Sequence, residues 1–199
     1  MTFQPLVFLA LVLLVAFCWF LVRHSPEKGG RRRRYSLDPF YRLLCRNLPF
    51  RDYRILRHVR LPTVNHGAAF LDYVVVSQWG VFIIERPNRR AWVFGQIGEE
   101  EWTLVVYSEH IKIPNPIRQL NRNIEAIAQC LGISTSLFFP IVSFPSRSEF
   151  KKPLPHFVML DPRVPDYIRS HSPRPLIPAD QVPEFVDAIL AWRRSPTFP

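Results

Sequence analysis

Apolar and polar positions change rhythm several times along this chain, and each change marks an element. Residues Leu6 to Val22 read LVFLALVLLVAFCWFLV, about 17 positions without a charge or a polar face. With Phe3 and Pro5 that run is long enough to cross a bilayer core of roughly 30 Å as a helix. A soluble helix of that length would show a polar stripe. Nothing basic precedes Leu6 and no small-residue cleavage pattern follows Val22, so the run reads as an anchor over 1–23 rather than a cleaved signal.

After a polar stretch the rhythm becomes that of a folded domain. In DPFYRLLCRNL, residues 38–48, Phe40, Leu43, Leu44 and Leu48 recur at helical spacing behind an Asp38-Pro39 start. YRILRHVRL, 53–61, sets Ile55, Val59 and Leu61 against Arg54, His58 and Arg60, the pattern of a half-exposed strand. LDYVVVS and VFIIER, 71–77 and 81–86, are β-rich runs around a Gln78-Trp79-Gly80 turn, hence a hairpin. Further strands are predicted at 91–94, 101–107, 137–144 and 156–160. Helices are predicted from Asn115-Pro116 to about Leu131, closed by Gly132, and from about Ala179 to Arg193. Strands interleaved with helices make the class α/β.

Charge adds orientation. Arg23, Lys28 and Arg31 to Arg34 lie just after the apolar run, and no Lys or Arg lies before it. The positive-inside rule then puts the N-terminus outside and the domain in the cytoplasm, at the cell membrane. The basic linker, 24–36, fits an anionic lipid surface. The net charge of +10 extends beyond the linker, through Arg51, Arg54, Arg57 and Arg60 to Arg86, Arg89 and Arg90, so polyanions are expected partners. Cys18, Cys45 and Cys130 form no paired framework, as expected for a reducing compartment.

Zinc-type spacings and phosphate-cradling glycine loops are absent, and the six histidines are scattered. Two carboxylates stand out instead: Asp72 within LDYVVVS and Glu85 at the end of VFIIE. A carboxylate in an apolar strand has to be paired, protonated or bound to a cation. The hairpin brings the two onto neighbouring strands, where two hard oxygen ligands at a strand edge would suit Mg²⁺. The competing reading is an ion pair with a local arginine such as Arg86 or Arg118.

LDYVVVSQWGVFIIERPN, followed by WVFG at 92–95, Trp102 and NPIRQ at 115–119, resembles the nuclease-related domain family, NERD. YRILRHVRLPT and IVSFPSR are similar to that family's flanking strands, so the resemblance covers about 37–150 and leaves 151–199 as a Pro-rich C-terminal extension with a terminal helix. It implies a restriction-endonuclease-like core, a mixed central sheet flanked by helices, of the PD-(D/E)xK type. It also implies that Asp72 and Glu85 bind Mg²⁺ together with the carbonyl of Arg86, and that Gln119 belongs to the catalytic set. Metal-assisted phosphodiester hydrolysis would follow, with DNA or RNA as substrate.

The chain departs from the family pattern at three places. The lysine of the E-x-K element is Pro87, the family's histidine after the aspartate is Tyr73, and only Asp38 is acidic where the first helix usually carries a glutamate. Proline has neither charge nor donor, so it can neither position water nor stabilise a phosphate. Three expectations remain. The domain is a degenerate nuclease fold that binds nucleic acid through Arg86, Arg89 and Arg90, a membrane-face scaffold for protein partners, or an active nuclease with a relocated lysine such as Lys112 or Lys151.

Overall fold

The computed structural model describes residues 38–62, 68–172 and 174–194. The expected anchor at 1–23 and linker at 24–36 lie outside them. Among the described residues no helix is long and apolar enough to cross a membrane.

The first helix, α1 (Pro39–Asn47), is followed by three antiparallel neighbours: β1 (Tyr53–Pro62), β2 (Ala68–Ser77) and β3 (Gly80–Glu85). The chain then builds β4 (Trp92–Phe94), β5 (Glu101–Val106) and β6 (Glu109–Pro114), and continues into α2 (Pro116–Leu131). It returns through β7 (Phe138–Phe144), β8 (Glu149–Phe150) and β9 (Val158–Leu160), and ends with α3 (Val164–Ser170) and α4 (Val182–Arg194). The strands form two sheets rather than the single central sheet expected. One has the order β1-β2-β3-β7-β9, the other β6-β5-β4-β8. Within the first sheet β3, β7 and β9 run parallel, so the α/β class holds and the sheet is mixed.

Alternation along β2 and β3 divides the core. Tyr73, Val75, Phe82 and Ile84 pack with Phe40 and Leu44 of α1 and with Val164 and Ile168 of α3. Val74, Val76, Val81 and Ile83 pack with Ile117, Leu120, Ile124 and Ile127 of α2 and with Val182 and Ile189 of α4. The same second cluster takes in Val93, Trp102 and Leu104 of the other sheet. The first sheet is thus covered on both faces, which is why its inner strands read as continuous apolar runs. The C-terminal residues belong to this core: β9 extends the first sheet, and α3 and α4 each cover one of its faces.

Local chemistry accounts for the motifs. Ser77 and Gly80 face each other across a two-residue Gln78-Trp79 turn, tighter than the three residues expected. The Ser77 hydroxyl accepts from the Trp79 N–H at 3.3 Å and donates to the Gly80 carbonyl at 3.2 Å. Gly80 has φ +136°, and a Cβ there would sit 2.4 Å from the Phe139 ring, so no other residue fits. Asn115 caps α2 by accepting from the Ile117 N–H at 2.9 Å, and Pro116 follows at the start of the helix. Its amide also donates to the carbonyls of Gln96, Ile97 and Glu99, pinning the β4–β5 loop to the helix start. Gly132 ends α2 in the left-handed region, φ 65°.

Candidate functional site

Strand pairing puts the two carboxylates side by side. Tyr73 pairs with Ile84 in the β2–β3 ladder, so the next position brings Asp72 beside Glu85. Both strands lie inside the sheet, β2 between β1 and β3 and β3 between β2 and β7, rather than at the edge expected from sequence. The pair sits where β3 ends, beside the carboxyl ends of β7 and β9, the side of a parallel ladder that generally carries ligands.

The backbone is irregular at the same level. Leu71 packs in the α2 cluster and Tyr73 in the α1 cluster, although two residues apart on one strand normally share a face. On β1 the flanking pairs Arg57–Tyr73 and Val59–Leu71 set His58 across from Asp72, and His58 has φ 50°. The two strands change face together around the aspartate. His58 is exposed and its ring lies 6.4 Å from that of Tyr73. Scattered histidines in the sequence gave no hint of that placement; only the strand register does.

Asp72 and Glu85 differ in electrostatics. The Arg86 N–H donates to Asp72 Oδ2 at 2.8 Å. Glu85 is largely buried, and its Oε2 has no hydrogen-bond partner. Burial, with the negative charge of Asp72 added, pushes the Glu85 carboxyl up to about 8. A buried acceptor with no donor calls for a specific explanation, and a neighbouring carboxylate sharpens the demand.

The arginines named as possible partners are engaged elsewhere. The Arg86 guanidinium donates through Nε and Nη2 to both oxygens of Asp161, at 3.1 and 2.8 Å, and through Nη1 to Asn88 at 2.8 Å. It also stacks 4.9 Å from the centroid of Phe40, and its side chain is only 8% exposed. The Ser143 hydroxyl donates to Asp161 at 2.6 Å, so the ends of β3, β7 and β9 are tied by one buried network. This guanidinium is turned into the protein. Arg118 pairs with Glu100 at 3.3 Å. Arg89 and Arg90 are exposed and lie on the loop leaving the site.

Gln119 is half-buried on the first turns of α2. Its amide donates to Asn123 Oδ1 at 3.2 Å, and its oxygen accepts from Arg122 at 3.0 Å. Buried Asn123 in turn donates to the Phe70 carbonyl at 3.2 Å, two residues before Asp72. Asn115, Gln119 and Asn123 recur at four-residue steps, a polar stripe on an apolar helix face that the sequence displayed. Asp161, 75 positions from Arg86, gave no comparable signal.

Lys112 lies on β6, and Lys151 and Lys152 directly follow β8. Lys112 pairs with Glu101 at 3.2 Å, Lys151 with Glu149 at 2.5 Å, and Lys152 with Glu99 at 3.2 Å. These are the lysines of the described residues, and each is held by a glutamate. No group of three or more His, Cys, Asp or Glu able to hold a metal occurs among the described residues. Two carboxylates nonetheless fit Mg²⁺, which commonly takes one or two and keeps several waters. The partnerless Glu85 oxygen beside a second carboxylate is a fitting donor set for it.

Residues 38–145 match the family model described as nuclease-related domain, NERD, over more than half of the chain. An uncharacterized protein of Bacillus anthracis is 24% identical over 123 residues, 59% of this chain and 56% of that protein. The chain therefore spans little more than half the length of that relative. No solved structure matches the chain.

Proposed function

The chain belongs to the nuclease-related domain (NERD) family, and from that premise we propose that it is a divalent-cation- and nucleic-acid-binding module that does not cleave phosphodiesters. The observation that carries this reading is the contrast at the end of β3. Glu85 offers a buried, partnerless oxygen beside Asp72, and Pro87 stands where the family has its lysine.

Asp72, Glu85 and the Arg86 carbonyl would hold Mg²⁺. When bound, the ion supplies Lewis-acid polarisation of a phosphate oxygen and a water of lowered pKa. The chain's own part is to orient Asp72 through the Arg86 N–H, to give up the Glu85 proton, and to exclude water beneath the pair. Nothing at position 87 can stabilise charge developing on a phosphate. Arg86 cannot take that role while its fork is closed on Asp161, and arginine is a poor base in any case. Binding without turnover is what remains.

The apolar run at 6–22 supports a tether to the cell membrane with the domain on the cytoplasmic face, where the Arg31–Arg34 run meets anionic lipid. There the module would retain nucleic acid, or present it to protein partners, at the bilayer surface.

The test uses full-length protein in detergent with Mg²⁺ or Mn²⁺ and labelled single- and double-stranded DNA and RNA. Mn²⁺ binding that strengthens as pH rises through about 8 and is lost in Glu85→Gln, with no cleavage of any substrate, is the expected result. Pro87→Lys should then introduce metal-dependent cleavage. Cleavage by the unaltered protein, abolished by Asp72→Ala, would sink the non-cleaving reading in favour of an active nuclease with a relocated lysine.

A further inference from the structure

The loop that leaves the carboxylate pair leads directly into a second feature that the family pattern does not address. Beyond Glu85, Arg89 and Arg90 enter β4 and form one wall of a cleft of about 410 Å³. Arg147, Trp92, Tyr107 and Glu149 also line it. The cleft lies on the second sheet, clipped together by Arg90 Nε donating to the Arg147 carbonyl at 3.2 Å and the Glu149 N–H donating to the Ala91 carbonyl at 3.0 Å.

Its charge and its aromatics are both turned outward. Glu149, the carboxylate of the lining, is neutralised by Lys151, whose hydrogen bond and charge lower its pKa. The ammonium of Lys151 lies 4.5 Å from the centre of the Trp92 ring, adding a fourth cation at the rim. The Arg89 and Arg147 guanidinium groups form no ion pair among the described residues. Trp92 is 49% exposed and Tyr107 is fully exposed.

Tyr107 also has a conformation that its side chain disfavours. Val106 pairs with Glu109, so Tyr107 and Ser108 form a two-residue hairpin turn, and Tyr107 has φ 56°. Glycine or asparagine normally fills such a position, and a bulky aromatic there carries backbone strain. An aromatic held at a strained turn and wholly in solvent contributes nothing to the core, which turns attention to what it could meet outside.

We propose that this cleft binds single-stranded nucleic acid, with bases stacking on Trp92 and Tyr107 and phosphates held by Arg89, Arg90 and Arg147. Aromatic faces alternating with guanidinium groups in an open groove are the chemistry that takes unpaired bases without reading their sequence. A duplex keeps its bases stacked inside and offers Trp92 and Tyr107 nothing. Arg89 is only four positions after Glu85, so these two lie within about 14 Å of each other along the chain, and one strand can engage both sites. The proposal rests on the nucleic-acid reading given above and adds the substrate form.

The test measures anisotropy of a fluorescein-labelled pyrimidine 12-mer with full-length protein in EDTA, alongside a duplex of equal length and phosphatidylserine vesicles. Single strand should bind more tightly than duplex. Tyr107→Gly relieves the turn and so keeps the fold, yet should weaken single-strand binding on the order of 10- to 100-fold and leave duplex binding unchanged. Arg147→Ala should weaken binding and reduce the salt slope by about 0.7. Unaltered single-strand binding by both variants overturns the cleft, and so does loss of vesicle binding alone, which would assign the surface to anionic lipid. Because EDTA removes the metal, these outcomes are independent of Glu85. Absence of any nucleic-acid binding by the parent protein would instead overturn the broader reading along with this one.

Discussion

The two sheets divide the labour between burial and exposure. In the first, β2 and β3 are enclosed by helices on both faces, and the carboxylates Asp72 and Glu85 sit beside side chains with almost no exposure. In the second, β4, β5 and β6 bury one face only and leave Trp92, Phe94, Glu101 and Lys112 towards water. The Glu85 carboxyl of the first sheet is pushed up because burial keeps water from screening it, while Glu149 of the second is lowered by its exposed neighbour Lys151. Chemistry that needs a shifted proton belongs in the first sheet. Capture of a flexible polyanion belongs in the second.

Substitutions can break that contrast in order of size. Arg86→Ala should be the most damaging, by about 3–5 kcal/mol in urea denaturation, because it strands Asp161 as a buried charge. Next, Ile83→Ala in the enclosed sheet should cost ~2–5 kcal/mol, whereas Ile111→Ala on half-buried β6 should cost under ~2 kcal/mol. Equal losses at the two positions would refute the asymmetry.

The third prediction concerns pH. The folded-state pKa of Glu85 is raised, to about 8, above its ordinary 4.5. Its contribution to stability is therefore fully present below about 4.5 and is lost as pH rises through about 8. Glu85→Gln has no such proton to lose, so it should match the parent near pH 4.5 and exceed it by a margin that grows as pH rises to 9. A constant difference across that range, in metal-free buffer, would show that burial does not govern Glu85. The smallest effect should come from Lys112→Ala, at most ~1 kcal/mol, since the pair with Glu101 is exposed on both sides.

Sequence patterning disclosed the first sheet better than the second, for the same physical reason. β2 and β3 are written as VVV and VFII because both of their faces are buried, and α2 is bounded by Asn115-Pro116 and Gly132 where the structure begins and ends it. The strand β6, EHIKIP, carries three charged or ionisable side chains and a proline, and went unpredicted. So did α3, whose seven residues are too few to show a period. That the strands split into two sheets was not legible either, since alternation records which face is buried and not which sheet a strand joins. At the site, Asp72 and Glu85 were visible as charges in apolar runs. Asp161 and Ser143 were not, because they matter through partners 18 and 75 positions away.

The strand order has a kinetic corollary. β3 and β7 are neighbours in the first sheet, yet β4, β5, β6 and α2 all come between them along the chain. The β1–β2–β3 meander can assemble from local contacts as soon as it is synthesised, whereas the β3–β7 ladder must wait for a closure of more than 50 residues. Folding should therefore show a fast phase for the meander and a slower one in which β7 and then β9 dock. The carboxylates would meet in the first phase, and the Arg86–Asp161 clasp would close only in the last.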